Sequence, residues 1–281
     1  MPVNSAHDIA QAWINHFWSA DHELKWVAAE VEHSVWLTPN TLLAGRIDAL
    51  GENDNGLFFG EWKTANPREK NTWKQVWRMN PQSLTYGVLS ADWFKQRGQT
   101  CTQFTVRKAF KSTPPTFDHA WYSYNEAELE HWKGQLVRIA DQIRGGGPGP
   151  WETNWTRCFQ FGVNYACPHF EAGCSKMVFD IDPAGAKRQP HLEIERRLND
   201  IKLSGLNYEK GLAINLPERY SVGPDLVVLD ATRVKEWLGC REKFRREYVH
   251  NVATPMTEAL QLGIDCHDEW GNYYQTLVEK P

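Results

Sequence analysis

Apolar side chains recur at helical spacing at the start of the chain, and the period then changes to that of β-strands. Residues 7–19 carry apolar positions three and four apart, which predicts an amphipathic helix. Residues 30–37 and 41–50 have strand-like patterns, and an Asn, Asp and Gly-rich turn at 51–56 leads into a returning strand at 56–65. We therefore expect a helix followed by three strands.

The pattern becomes helical again further along the chain. Residues 72–95 and 126–143 show helical periodicity on either side of a strand-like segment at 101–111. Residues 229–249 form a further amphipathic pattern, with Asp230 in a position suited to an N-cap. Strands flanked by helices predict an α/β fold.

Composition and charge exclude several classes of protein. With 41% apolar and 23% charged residues in 281, the chain lies far from the composition of disordered proteins. It has neither an apolar stretch long enough to span a bilayer nor the layout of a secretory signal, so we expect a cytoplasmic protein that does not bind membranes. The net charge of −4 implies that any binding of nucleic acid uses a local basic surface.

The six cysteines are distributed unevenly. Cys158, Cys167 and Cys174 fall close together, while the other three are scattered. In a chain without a secretion signal, such a group indicates metal binding before disulfides. Three buried thiols without a metal are the alternative.

Carboxylates and a lysine come together around the predicted hairpin. Glu61 and Lys63 are two residues apart on one strand, so their side chains leave the same face, and Asp48 closes the preceding strand. Phosphodiester hydrolysis uses carboxylates to hold divalent cations and an ammonium group to orient water or offset charge on the phosphate. A solvated strand face with an ion pair is the alternative for so short a motif.

These motifs resemble a known family. GRID at 45–48 and GEWKT at 60–64 resemble the core of the PD-(D/E)XK nuclease superfamily, and specifically its RecB-like exonuclease branch. PQSLTY at 81–86 supplies the Q-x-x-x-Y motif of that branch, with Gln82 and Tyr86 on one helical face. The resemblance implies a restriction-endonuclease-like mixed central sheet flanked by helices, followed by a cysteine-ligated cluster segment.

The iron–sulfur members of this branch carry one cysteine before the nuclease core and three after it. Cys158, Cys167 and Cys174 resemble the three, and Cys240, within a helix at 231–249, resembles the first. The resemblance implies a 4Fe–4S cluster, and a four-cysteine zinc site is the chemical alternative.

The motifs stand in an unusual order. In the family a G-x-x-x-H motif precedes the core, but here Gly263 and His267 supply it near the C-terminal end. Taking 227–281 before 1–180 restores the usual order and leaves 181–226 as a connecting segment. A circular permutation and a tandem or mis-bounded reading frame both fit. We expect 227–281 to pack on the same core as 1–180.

The resemblance also assigns roles to the site residues. Asp48, Glu61 and His267 would ligate Mg2+ or Mn2+, together with a backbone carbonyl near Trp62. Lys63 would position the attacking water, and the two residues of the Q-x-x-x-Y motif would hold the DNA strand near the scissile phosphate.

The function implied is a metal-dependent DNA exonuclease in recombination, repair or phage DNA processing. Its partner would be single-stranded DNA or DNA with free ends, with a helicase or recombination protein as a further partner. A basic stretch is either a phosphate contact or a solvated helix face: Arg241, Lys243, Arg245 and Arg246. A DNA-binding or assembly module of the same fold without effective catalysis is one alternative, and a zinc-stabilised domain of unrelated function is another.

Overall fold

The computed structural model describes residues 5–145, 226–244 and 258–278. Three of the predicted cluster ligands lie outside the described residues: Cys158, Cys167 and Cys174. Nearly all of the connecting segment at 181–226 also lies outside them, as do Arg245 and Arg246.

The described residues form helices and strands whose bounds are as follows. The helices are α1 (Ala6–Glu23), α2 (Trp73–Trp77), α3 (Pro81–Lys95), α4 (Glu126–Gly145), α5 (Ala231–Gly239), α6 (Arg241–Phe244) and α7 (Glu258–Val278). The strands are β1 (Lys25–Thr38), β2 (Thr41–Asn53), β3 (Gly56–Ala65), β4 (Cys101–Phe110), β5 (Thr116–Ser123) and β6 (Val227–Leu229). Within these ranges, none of the helices combines the length and apolar character needed to cross a membrane.

The strands form one mixed sheet. They lie in the order β1, β2, β3, β4 and β5, and β6 pairs with the beginning of β2. β2 and β3 are antiparallel, as are β4 and β5, whereas β3 and β4 are parallel. The parallel pair requires a crossover connection, which contains α2 and α3. The predicted α/β class with a mixed central sheet is confirmed.

The hairpin between β2 and β3 sets the register of the candidate site. Asn53 pairs with Gly56 across a two-residue turn, and Gly56 has a φ of +115°, a conformation that glycine adopts readily. The ladder continues to Ala49 opposite Gly60. The next residues along the two strands are Asp48 and Glu61, so the turn fixes which acidic side chains meet.

Two predicted helices are interrupted. The expected helix at 72–95 stops at α2 and starts again at α3, because Asn80 caps the new helix and Pro81 occupies its first position. The expected helix at 229–249 begins as predicted, with Asp230 accepting a hydrogen bond from the backbone N–H of Arg233. It ends where Cys240 adopts an extended conformation, with φ −159° and ψ 111°.

The described residues divide into two compact units. One contains residues 5–35, 44–133 and 258–278, and the other contains residues 36–43, 134–145 and 226–244. In the second unit β6 pairs in parallel with the start of β2, and Trp237 of α5 contacts Phe244 of α6 edge to face at 5.3 Å. How the segments 1–180, 181–226 and 227–281 divide into domains stays a prediction.

The first unit has an aromatic core that holds the C-terminal helix. Trp13 of α1 stacks on Trp270 of α7 with ring centroids 4.3 Å apart, and Trp62 of β3 stacks on Tyr274 of α7 at 4.7 Å. All four side chains are fully buried. Burial of side chains this large contributes about 2 kcal/mol or more each. α7 is therefore docked firmly against the first helix and the strand that carries Glu61.

A buried polar network reinforces the same contact. Arg107 of β4 donates hydrogen bonds to Asp21 of α1 and, at 2.8 Å, to the hydroxyl of Tyr274. That hydroxyl donates in turn to Asp21 at 3.1 Å. Burial raises the pKa of Asp21, and the charge of Arg107 opposes this shift. The Asp21 carboxylate and the Tyr274 hydroxyl thus find hydrogen-bond partners in an otherwise apolar environment.

Candidate active site

The side chain of Asp48 in β2 forms a hydrogen bond to the backbone of β3 at the candidate site. Its Oδ2 accepts a hydrogen bond of 2.7 Å from the backbone N–H of Trp62. Asp48 is 8% exposed, and Glu61, beside Trp62, is fully buried. The hydrogen bond fixes the Asp48 carboxylate over the backbone of the Glu-x-Lys motif.

Lys63 forms an ion pair within this motif. Its Nζ lies 3.0 Å from Oε1 of Glu61. Burial alone would lower the pKa of Lys63, but the charges of Glu61 and Asp48 outweigh it and raise that pKa above its ordinary value. The amine therefore stays protonated across the physiological range and can serve as a hydrogen-bond donor and a positive charge.

His267 reaches the same place from the other end of the chain. Its Nδ1 lies 4.0 Å from Oδ2 of Asp48. Burial lowers the pKa of His267 to about 4; Asp48 opposes this shift, and the charges of Lys63 and Arg46 add to it. The imidazole is therefore neutral at neutral pH, which is the form that binds metal ions.

Glycines on α7 allow the helix to approach the sheet closely on the face that carries His267. A Cβ on Gly263 would lie 3.2 Å from Oγ1 of Thr64, and one on Gly271 would lie 2.9 Å from Oε1 of Glu30. The two glycines stand four residues before and after His267, so all three share one face. Gly263 belongs to the predicted G-x-x-x-H motif, whereas Gly271 was not predicted.

The Q-x-x-x-Y motif begins α3. The ring of Tyr86 lies against Gly45, where a Cβ would come within 3.3 Å of Tyr86 Cε1, and the phenol is one of the groups that raise the pKa of Lys63. Tyr86 is therefore close to the site. Gln82 lies one turn earlier, and its backbone N–H donates to the side chain of the N-cap residue Asn80.

Two further charged residues, Glu30 and Arg46, lie at the site without having been predicted from the sequence. Glu30 of β1 forms an ion pair of 3.0 Å with Arg46 of the GRID motif. Burial raises the pKa of Glu30 to about 8, and the charge of Asp48 adds to the shift. The sequence gives no signal that Glu30 belongs to the site, because it is an ordinary acidic residue within a strand pattern. Its position depends on how β1 and α7 pack.

The side chains fit a divalent cation by their chemistry. Two carboxylates and a neutral imidazole suit Mg2+ or Mn2+, with the imidazole favouring Mn2+. In the part of the chain that the structure describes, no three His, Cys, Asp or Glu side chains converge as a complete metal site. His267 is next to Asp48, while Glu61 is held by Lys63.

Cys240 is the one predicted cluster ligand within the described residues. It is 7% exposed, and its backbone N–H donates to the carbonyl of Glu236 at the end of α5. Its role as a cluster ligand stays a prediction.

Comparison with known families decides the assignment. The family model of the PD-(D/E)XK nuclease superfamily matches residues 2–169, which include the GRID, GEWKT and PQSLTY motifs. The chain belongs to the PD-(D/E)XK nuclease superfamily. No curated protein matches it.

Membership of the PD-(D/E)XK superfamily accounts for the fold and the chemistry of the site. The expected restriction-endonuclease-like fold is confirmed, and nucleases of this superfamily are generally phosphodiester hydrolases that act on DNA and usually use Mg2+ or Mn2+. His267 lies beyond the matched residues, and in the tertiary structure its Nδ1 lies 4.0 Å from Oδ2 of Asp48.

Proposed function

We propose that this nuclease is a metal-dependent, RecB-like DNA exonuclease, a deoxyribonuclease that hydrolyses phosphodiester bonds. Its substrate is single-stranded DNA or DNA with free ends. The proposal is carried by the convergence of Asp48, Lys63 and His267 in one partly buried site, although His267 comes from the opposite end of the chain. Recombination, repair or phage DNA processing is the setting we infer, with a helicase or recombination protein as partner.

The residues that would hold the cation are Asp48, Glu61 and His267, with the backbone carbonyl of Trp62 as a further ligand. When bound, the cation offsets charge on the phosphate and favours ionisation of the attacking water. Lys63 stays protonated and near the carboxylates, so it is suited to orienting that water and to stabilising negative charge as it develops. Gln82 and Tyr86 hold the DNA strand near the scissile phosphate.

A DNA-binding module without effective catalysis is the alternative of the same fold. It would follow if the rearranged motif order kept His267 out of the site. The 4.0 Å between His267 and Asp48 therefore supports the enzyme over the module.

We further propose that Cys158, Cys167, Cys174 and Cys240 hold a 4Fe–4S cluster that joins the segment after the core to α5. Iron and sulfide analysis of anaerobically purified protein tests this, and Cys240→Ser should reduce the iron content markedly. A colourless protein that contains zinc would contradict the cluster and favour the zinc alternative.

The decisive experiment is degradation of end-labelled DNA with Mn2+ or Mg2+. We expect Lys63→Ala to lose about a hundredfold or more of the rate, because the ammonium that stabilises developing charge is gone. Lys25→Ala is the matched control: Lys25 also pairs with a glutamate, Glu52 at 2.6 Å, but is 75% exposed. It should retain full activity.

Circular single-stranded DNA separates exonuclease from endonuclease activity. An exonuclease leaves the circle intact and degrades the linear form of the same sequence, whereas an endonuclease cuts both. If the protein binds linear DNA with no metal-dependent degradation, the binding module is the correct assignment. Degradation that persists unchanged in Lys63→Ala would also contradict the proposed active site.

A further inference from the structure

Arg46 is a cationic side chain at the rim of the site that the proposed mechanism does not use. It stands two residues before Asp48 in β2, and the residue between them, Ile47, is fully buried. Alternate strand residues leave the same face, so Arg46 and Asp48 lie side by side. The Arg46 side chain is 44% exposed and open to solvent.

Glu30 holds Arg46 in place. The ion pair joins Nε of Arg46 to Oε2 of Glu30 at 3.0 Å, and the Glu30 side chain is only 15% exposed. Glu30 has a φ of +52°, a conformation that side chains with a Cβ rarely adopt. Gly271 of α7 leaves the space that the carboxylate occupies, since a Cβ there would lie 2.9 Å from Glu30 Oε1.

A stabilising ion pair alone does not account for this arrangement. Pairs in which one partner is nearly half exposed contribute little to folding, because water screens the attraction. Here a nearly buried carboxylate with an unusual backbone conformation is placed against an exposed guanidinium. We infer that the pair serves to orient Arg46, whose position matters for binding.

The geometry of the guanidinium favours an oxyanion ligand. Arginine has donors on Nε and on both terminal nitrogens in one rigid plane. The ion pair with Glu30 joins Oε2 to Nε, and the Arg46 side chain is 44% exposed, so its terminal nitrogens can be offered to an oxyanion on the solvent side. Such a fork matches the two non-bridging oxygens of a phosphodiester.

The position of Arg46 indicates which phosphodiester it meets. Arg46 leaves the same face of β2 as Asp48, two residues away, and its ion pair is with Glu30, so it lies beside the catalytic groups. Two residues along a strand span about 6.6 Å, a spacing that suits the linkage next to the scissile one. Building on the proposed nuclease function, we propose that Arg46, oriented by Glu30, binds the phosphodiester adjacent to the scissile one in single-stranded DNA.

The test is binding of short single-stranded oligonucleotides, each with one neutral methylphosphonate linkage at a successive position, in Ca2+. We expect one position to weaken binding by wild type about tenfold, because the contact with Arg46 is lost. Arg46→Gln should bind the unmodified oligonucleotide about tenfold more weakly than wild type does. The slope of its log binding constant against log salt concentration should be smaller by about 0.7. A methylphosphonate at the sensitive position should not weaken its binding further. Arg46→Lys should fall in between.

Two variants serve as controls for charge and for orientation. Arg97→Gln removes an exposed arginine beyond the C-terminal end of α3, whose guanidinium lies over the ring of Trp93, and should bind like wild type. Glu30→Gln keeps the Arg46 charge but removes the carboxylate that orients it. Compared with wild type at about pH 9, above the pKa of about 8 of Glu30, this variant should lose part of the affinity and part of the positional effect. Thermal unfolding of each variant shows that the fold is retained.

The outcomes separate this proposal from the proposed nuclease function. An Arg46-dependent positional effect without cleavage in Mn2+ would uphold the phosphodiester contact and overturn the nuclease. In the opposite case the protein cleaves DNA, but each methylphosphonate weakens binding by wild type and by Arg46→Gln equally. That result would overturn the proposed contact and leave the proposed nuclease function intact. With both upheld, Arg46→Gln should raise KM about tenfold and change kcat much less.

Discussion

The charge states of the site residues follow from how much water each side chain has lost and from which charges surround it. His267 is partly buried beside two cations and stays neutral, with its pKa lowered to about 4. Lys63 is also partly buried, but Glu61 and Asp48 keep it protonated. A neutral imidazole and a charged ammonium at one site can offer a metal-binding nitrogen and a positive charge at the same pH.

The lowered pKa of His267 predicts a specific pH dependence of stability. Unfolded His267 binds a proton near pH 6.5, whereas in the folded chain it does so only near pH 4. At this histidine the unfolded state therefore binds more protons in this window, so the contribution of His267 to the free energy of unfolding of metal-free protein should fall as the pH drops from 6.5 to 4. The measurement is urea denaturation at a series of pH values. Between pH 6.5 and pH 4 the free energy of unfolding of His267→Gln should fall by about 2 kcal/mol less than that of wild type.

His7→Gln is the control for this measurement. The side chain of His7 is 72% exposed in the folded chain, so its replacement should leave the pH dependence of wild type intact. If His267→Gln and wild type show the same pH dependence, the imidazole is not buried beside Asp48.

At the level of elements, the docking of α7 determines whether the site is assembled. The helix brings His267 to the hairpin. Large aromatic side chains make its contacts with α1 and β3, and the hydroxyl of Tyr274 adds hydrogen bonds to α1. Tyr274 stacks on Trp62, whose backbone N–H holds Asp48. The core contact and the site contact therefore share one residue of β3.

Removing the hydroxyl of Tyr274 should loosen this helix. Tyr274→Phe deprives buried Arg107 of a hydrogen bond of 2.8 Å, and we expect a loss of about 1–3 kcal/mol in the free energy of unfolding. The ring pKa of His267, followed by NMR, should rise toward 6.5 as water reaches it. Tyr122→Phe, which loses a hydrogen bond of 2.8 Å to the backbone of Lys74 at the surface, should change neither quantity appreciably. Equal effects of the two substitutions would contradict the role of the buried network.

For the whole molecule, residues far apart in the chain form one compact unit. The unit that holds the site joins residues 5–35 and 44–133 with residues 258–278. This association is what a circular permutation of the family order would require. The motif order is therefore compatible with a working site in a single chain.

A chain that ends at residue 256 should lose both stability and activity. Without α7, Trp13 and Trp62 lose the aromatic side chains that cover them, so we expect loss of cooperative unfolding and strong binding of a hydrophobic dye. Adding a peptide of residues 257–281 should restore part of the near-ultraviolet circular dichroism. Full activity of the shortened chain would exclude any role for His267.

The sequence by itself determined the elements and the local part of the site. Asp48, Glu61 and Lys63 lie on one hairpin, where a strand period of two residues and a two-residue turn fix which side chains face each other. The spacing of Gly263 and His267 likewise placed both on one helical face. Periodicity missed the breaks at Pro81 and Cys240, because an apolar pattern continues across a capping residue or a single extended residue.

Only the tertiary structure decided which elements meet. β6 has three residues and becomes a strand through its pairing with β2. The contact of His267 with Asp48 depends on the burial of aromatic side chains from α1, β3 and α7 together, a sum over the core that no local pattern contains. The pairing of Glu30 with Arg46 depends further on a left-handed backbone residue and on the space beside Gly271. Local periodicity encodes elements, whereas close approach between distant segments arises only when their side chains pack.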